Sequence, residues 1–158
     1  MIELKRAVAA DASLLTKLSR QAFDADVDYG APGPGGPPGY DDLAWQERAM
    51  QWGDYYVITC CSAPIGGIIA YATDSAGSYE LGRIFIAPEW QNRGLGRKAM
   101  ELLWPLYPQA IVWHLDTPAW NLRTRHFYAQ LGFVETRVSD DGTVFFERKM
   151  PAPAPDPA

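Results

Sequence analysis

The stretch PEWQNRGLGRKAMELL, Pro88 to Leu103, places Gly94 and Gly96 between basic residues, just ahead of an apolar pattern with helical spacing. The first N–H groups of a helix have no partner within it, and the helix dipole adds partial positive charge at that end. Glycines there let a ligand reach the backbone without meeting a Cβ, so this order of residues can grip a phosphate. Arg93, Arg97 and Lys98 add positive charge to an otherwise acidic chain. On spacing alone the stretch also fits a tight turn with a solvated basic face, because short glycine motifs are weak signals. It is not a P-loop, since the G-x-x-x-x-G-K-[ST] spacing is absent. It is not a full G-x-G-x-x-G fingerprint either, because Ala99 stands where the third glycine would be.

The elements that must position this loop follow from periodicity. IELKRAV alternates as a first strand, and Asp11 is placed to cap a helix through about Asp24, with Leu14, Leu15, Leu18 and Phe23 at helical spacing. YGAPGPGGPPGY, residues 29–40, excludes helix and central strand. It reads either as a plain linker or as a loop shaping a binding cleft beside Asp24, Asp26, Asp28, Asp41 and Asp42. Asp41 or Asp42 then caps a second helix to about Trp52. The segments DYYVITCC, GGIIAYATD and SYELGRIFIA, separated by SAPIG and DSAGS turns, predict an antiparallel meander. The glycine loop opens a helix to about Leu106, with Pro105 marking an earlier end. AIVWHLDT is a buried strand. AWNLRTRHFYAQLG is a helix closed by Gly132, and FVETRV and TVFFERKM form a final hairpin. The order is βα(α)βββαβαββ, one mixed α/β domain over residues 1–150. A Pro/Ala-rich tail, 151–158, has the composition of a disordered segment.

Composition narrows the function classes. The chain has 158 residues, 47% hydrophobic, and a net charge of −5. A duplex nucleic-acid binder normally needs a basic face, so that partner is disfavoured; a cationic ligand such as an amine suits the charge better. Cys60 and Cys61 are adjacent, which gives neither a disulfide framework nor a metal-ligand spacing. They read as two small buried hydrophobes on a strand. No metal site, signal peptide or membrane span is expected, and a cytoplasmic location is.

Two blocks together resemble the GCN5-related N-acetyltransferase (GNAT) superfamily. LGRIFIAPEWQNRGLGRKAMELL is similar to its acetyl-CoA signature, with a Q/R-x-x-G-x-G/A core at Gln91-Asn92-Arg93-Gly94-Leu95-Gly96. The second block is Asn121, then Tyr128 seven positions on, then Leu131-Gly132-Phe133. The resemblance covers roughly Ile2 to Met150. It implies a mixed, mostly antiparallel central sheet flanked by helices, with a V-shaped gap between two parallel strands that takes acyl-CoA. It further implies that backbone groups of Ile84, Phe85 and Ile86 bond the pantetheine arm and that amides from Asn92 to Arg97 hold the pyrophosphate. Asn121 would lie near the reactive end.

An amine attacking a thioester must first lose a proton, since an alkylammonium has a pKa near ~10.4. By its similarity to the family's helix position, Tyr128 is the candidate acid for the leaving thiolate. Glu80 and Asp116 compete as base, each also readable as an ordinary surface or salt-bridged carboxylate; Glu80 is favoured. His114 and His126 fit no triad, and His126, two residues from Tyr128, is expected to point elsewhere. Trp90, Trp113 and Trp120 read as core or pocket wall. The function implied is acetyl transfer from acetyl-CoA to a primary amine of a small molecule or peptide, by direct attack in a ternary complex. The alternatives are a non-catalytic acyl-CoA sensor and a nucleotide-phosphate protein of another fold. A homodimer through the C-terminal strand TVFFERKM is a possible assembly.

Overall fold

The computed structural model describes residues 1–151, so most of the Pro/Ala-rich tail lies outside the described residues. The chain runs β1 (Ile2–Arg6), α1 (Ala12–Asp24), a short 3₁₀ turn (Ala25–Tyr29), α2 (Leu43–Trp52), β2 (Asp54–Cys60), β3 (Ala63–Ala72) and β4 (Ser78–Ile86). It continues through α3 (Leu95–Leu103), β5 (Val112–Pro118), α4 (Leu122–Gln130), β6 (Val134–Val138) and β7 (Thr143–Lys149). The strands form one seven-stranded sheet in the order β1-β2-β3-β4-β5-β7-β6, antiparallel except between β4 and β5. β2, β3 and β4 form the expected meander.

Each face of the sheet buries its own core. On one side Leu15, Leu18 and Ala22 of α1 and Ala49 of α2 pack on Tyr55, Val57, Ile69 and Phe85. On the other, Leu95, Ala99, Met100 and Leu103 of α3 and Tyr128 of α4 pack on Ile58, Ile68, Leu81, Trp113 and Phe146. Trp113, fully buried, is ringed by Tyr79, Trp104 and Tyr107 at centroid distances of 5.4, 5.5 and 5.1 Å. Two helices per face thus cover a sheet whose inner strands are apolar on both sides.

The feature that matters for function lies between β4 and β5. They pair over only three rungs, Ser78 with Val112, Tyr79 with Trp113 and Glu80 with His114. Just past the last rung the β3–β4 register slips: Ile69 faces Arg83 while Ala70 faces Leu81, which leaves Gly82 as an extra residue on β4. Such a bulge bends and twists its strand. Ile84, Phe85 and Ile86 continue to pair with β3 but leave β5 behind.

Local differences from the sequence reading have simple causes. The β2–β3 turn sits at Cys61 and Ser62, both at positive φ, rather than across SAPIG, and β3 begins at Ala63. The paired-hydrophobe reading of the cysteines is corrected accordingly: Cys60 is half-buried, and Cys61 is exposed beside the Met1 ammonium. α3 gives way at Trp104 to a 3₁₀ turn through Leu106, as Pro105 requires. β7 lies between β5 and β6, so the edge strands of the sheet are β1 and β6, and TVFFERKM is an inner strand.

Gly66 of β3 holds the diverging end of β4, pairing with Ile86, and a Cβ there would overlap the Phe85 carbonyl oxygen. Gly66→Ala is therefore expected to cost about 1–3 kcal/mol, the usual range for an overpacked site. Urea unfolding checks this, and an unchanged midpoint would contradict the close approach.

Candidate active site

The divergence of β4 from β5 opens a cleft of about 360 Å³. Ile84, Phe85 and Ile86 form one wall, Arg123, Thr124, Phe127 and Tyr128 of α4 the other, and the Gln91–Arg97 loop closes one end. In a strand, successive backbone N–H and C=O groups point alternately to either side. Some of those on Ile84–Ile86 therefore bond β3; of the others, the Ile86 carbonyl accepts from the Gln91 side chain, and the rest face a gap with no strand in it. An extended ligand carrying amides satisfies such an edge as another strand would.

The loop at the end of the cleft is built for an anion. Gly94 is the N-cap of α3 at φ 74°, and Asn92 is also left-handed at φ 61°. Closely spaced left-handed residues turn successive N–H groups towards one side, a concavity that holds phosphate. A Cβ built on Gly94 would meet no protein atom within 4 Å, so the space beside its backbone is open to a ligand. The loop is pinned from behind. The Gln91 side-chain amide donates to the Ile86 carbonyl at 2.7 Å, and Arg93 donates to the Glu89 carbonyl at 2.8 Å while lying 5.3 Å from the centre of the Trp90 ring. Leu95 anchors the first turn in the core, and Gly96 is packed against Phe127. Of the basic residues, Arg97 lines the cleft, in an exposed i,i+4 pair with Glu101 at 3.3 Å. Unpaired strand edge, phosphate cradle and apolar walls together fit an acyl-CoA: amides along β4, pyrophosphate at Asn92–Arg97.

The candidate chemical groups separate into two places. Tyr128 lines the cleft, its ring held by Phe127, Phe133 and Phe146 at 5.3, 5.9 and 5.9 Å. Burial, with the charges of Asp116 and Asp26 adding to it, pushes its phenol well above the ordinary range, so it stays protonated. Glu80 and Asp116 stand at the closed end of the V. Glu80 occupies the last β4–β5 rung opposite His114; Asp116 lies two residues beyond it on β5, opposite Phe145. Burial raises the Glu80 carboxyl first, and the Asp116 charge raises it further, while His114 opposes the shift. Asp116 is raised too, by burial and then by Asp141.

Asn121 sits differently from expectation. It is the N-cap of α4, nearly fully buried, and its Oδ1 accepts from the Thr124 N–H at 3.2 Å. It does not line the cleft; it fixes the start of the helix that does. His126, expected to point away from Tyr128, lines the same cleft. Residues 29–40 are not a bare linker. Tyr40 donates to Asp24 at 2.8 Å, Arg83 of β4 donates to the Pro38 carbonyl, and Gly36 packs on Phe23 and Tyr40.

Sequence reasoning missed Arg123, and it left Asp26 and Tyr29 in a general acidic segment. Arg123 donates to Gln91 Oε1 at 2.7 Å and pairs with Asp26 at 3.3 Å, and its guanidinium carbon lies 3.7 Å from the centre of the Tyr29 ring. These partners come from two segments, the 25–29 turn and the loop at Gln91, both distant in sequence from Arg123, so no spacing in the chain announces them. The one available signal was Asp26, one of three alternating aspartates, Asp24, Asp26 and Asp28, where the chain prolongs an amphipathic helix.

A family profile described as acetyltransferase (GNAT) domain matches residues 51–135, just over half of the chain and including β4, the loop, α3, β5 and α4. The chain belongs to the GNAT family. GNAT enzymes are acyl-CoA-dependent N-acetyltransferases that use acetyl-CoA as co-substrate, which accords with the strand edge and cradle described above. Solved structures share the fold at low identity. An acetyltransferase from Thermus thermophilus superposes with a TM-score of 0.79 at 18% identity, over 95% of this chain and 97% of that one. PaiA N-acetyltransferase from Thermoplasma acidophilum, determined in complex with coenzyme A, gives 0.78 at 16% identity, over 95% and 99%. A curated relative, the uncharacterized protein YrkN of Bacillus subtilis strain 168, is 25% identical over 64 residues; the match spans 40% of this chain and about a third, 35%, of that protein.

Gly94→Glu would put a side chain and a negative charge into the cradle, at a φ that disfavours any side chain. Coenzyme A binding by calorimetry is expected to be lost while the variant still unfolds cooperatively. Wild-type affinity would contradict the phosphate site.

Proposed function

We propose that this GNAT enzyme transfers the acetyl group of acetyl-CoA to the primary amine of a cationic small molecule or peptide, by direct attack within a ternary complex. The observation that carries the reading is a buried, protonated Tyr128 on the wall of the cleft, with Glu80, a carboxylate of raised affinity for protons, on the last β4–β5 rung before the strands part. Acetyl-CoA, when bound, supplies an activated acyl carbon joined to a thiol leaving group.

The chain's own groups divide the remaining work. Glu80, directly or through a water, takes a proton from the incoming ammonium, so that the nitrogen lone pair is free to form the new N–C bond. Tyr128 hands its phenolic proton to the departing sulfur as the C–S bond breaks, and the second proton shed by the new amide nitrogen restores the phenol. A carboxylate whose pKa is raised is the better base near neutral pH, and burial plus Asp116 does this for Glu80. Glu80 is preferred to Asp116 because it sits on the final rung, where the two strands part. Gly94, Gly96 and the Asn92–Arg97 amides hold the phosphates, and the free edge of Ile84–Ile86 orients the extended arm.

A cationic acceptor suits the open part of the sheet. Tyr71, Glu80, His114 and Glu147 lie in register across β3, β4, β5 and β7, and Asp116 follows on the same face. Trp52 and Tyr71 meet edge to face at 5.6 Å and form an aromatic border to that acidic row. Carboxylates with aromatic faces draw in ammonium groups.

Thiol release from acetyl-CoA against a panel of amines and peptides tests the reading. Release is expected with primary amines that carry a second positive charge, and none across the panel would count against an enzyme. Tyr128→Phe is expected to lower kcat by roughly 10²-fold or more with little change in acetyl-CoA affinity; a variant at full speed removes Tyr128 from the mechanism. The rising limb of the kcat/KM–pH profile is expected above the ordinary carboxylate range. Asp116→Asn removes a negative neighbour, favours the Glu80 anion and moves that limb to lower pH, while Glu80→Gln abolishes it. The reverse pattern would assign the base to Asp116.

A further inference from the structure

Arg123 joins three parts of the molecule that the chemistry must coordinate. It lies in the first turn of α4, on the cleft wall opposite Ile84–Ile86. One guanidinium nitrogen donates to Gln91 Oε1 at 2.7 Å, and Gln91 in turn holds the Ile86 carbonyl at 2.7 Å. The other nitrogen pairs with Asp26 at 3.3 Å, in the turn that prolongs α1. The Tyr29 ring lies under the guanidinium, and its hydroxyl accepts from Asn92 Nδ2 at 3.4 Å. Tyr29 leads into Gly30, which rests against Trp120, and on into residues 31–40, which pack on Phe23, Trp45 and Arg83. The same fork therefore grips the phosphate loop through Gln91 and the wall on the α1 side through Asp26 and Tyr29.

The chemistry of the pair explains why this is costly to build and worth a function. Asp26 is 9% exposed, and its burial raises the carboxyl despite the neighbouring Arg123. A carboxylate in such a place is stabilised only while its partner stays. Arg123 has five N–H donors in a planar fork and spends few of them here, so it can keep Asp26 and Gln91 and still meet an anionic or carbonyl oxygen of a ligand in the cleft.

We propose that Arg123 is a positioning residue that couples occupancy of the acetyl-CoA site to the order of the 25–40 segment on the α1 side of the cleft. The inference rests on the acetyl-CoA reading of the cleft. A ligand contact added at Arg123 or at the Gln91–Asn92 loop tightens a residue that already clasps the wall, and ordering shared between two sites is energetic coupling.

Hydrogen exchange of the full chain with and without coenzyme A tests this. In the wild type, coenzyme A is expected to slow exchange both at residues 92–97 and across 25–40. In Arg123→Ala, slowing at 92–97 should persist, with affinity weakened by no more than about tenfold, while slowing across 25–40 disappears. Asp26→Asn, nearly isosteric, should lose the same distal response, which guards against a folding defect in the alanine variant. Arg123→Lys keeps the charge but not the fork and should restore affinity without restoring the response at 25–40. Slowing across 25–40 that survives in Arg123→Ala and Asp26→Asn overturns the inference, as does a wild type that responds at 92–97 alone. No response at either segment of the wild type overturns the acetyl-CoA reading itself, and this inference with it.

Discussion

The structure turns on a strand edge that the protein leaves unpaired. Backbone N–H and C=O groups in a sheet interior almost always find partners. Here β4 abandons β5 after three rungs, in the middle of a seven-stranded sheet. The bulge at Gly82 bends β4, and α3 and α4 pack to either side of the gap without filling it. A central strand with one free edge invites an extended, amide-bearing molecule, and the pantetheine of acyl-CoA has that form. The loop at Asn92–Gly96 lies just beyond the end of β4, within reach of one extended molecule laid along that strand.

The electrostatics of the two ends of the cleft are opposed. At the loop, helix amides and Arg97 favour an anion; at the vertex, Glu80 and Asp116 resist ionising together and favour a proton or a cation. Tyr128 stands on the wall with its phenol kept neutral by burial. Such a gradient is what the proposed pairing of an anionic co-substrate with a cationic acceptor requires. Asp26 and Arg123 neutralise one another along the α4 wall and tie its position to that of the loop.

Local pattern was legible and long-range geometry was not. Strand-forming runs between turn signals announced β2, β3 and β4; Asp42 capped α2, accepting from the Ala44 and Trp45 N–H groups; and Gly132 ended α4 at φ 93°. The glycine loop was ambiguous on spacing alone, and only its combination with the second block, Asn121 to Phe133, singled it out. Asn121 was singled out by the resemblance as a cofactor contact, and the structure shows its side chain capping α4, a local role that the resemblance does not describe. Cys61 misled because a strand pattern does not show where a tight turn takes over. Arg123 was invisible for a deeper reason: its partners Gln91, Asp26 and Tyr29 are brought to it only by the finished fold.

The most direct test of the central claim is an amide-resolved NMR titration of the protein with coenzyme A. The free-edge account expects the largest shifts at Ile84–Ile86 and at Asn92–Arg97, with smaller ones along the cleft face of α4. Shifts confined to other regions, or none at millimolar coenzyme A, would contradict the assignment of the β4–β5 gap as the acyl-CoA site.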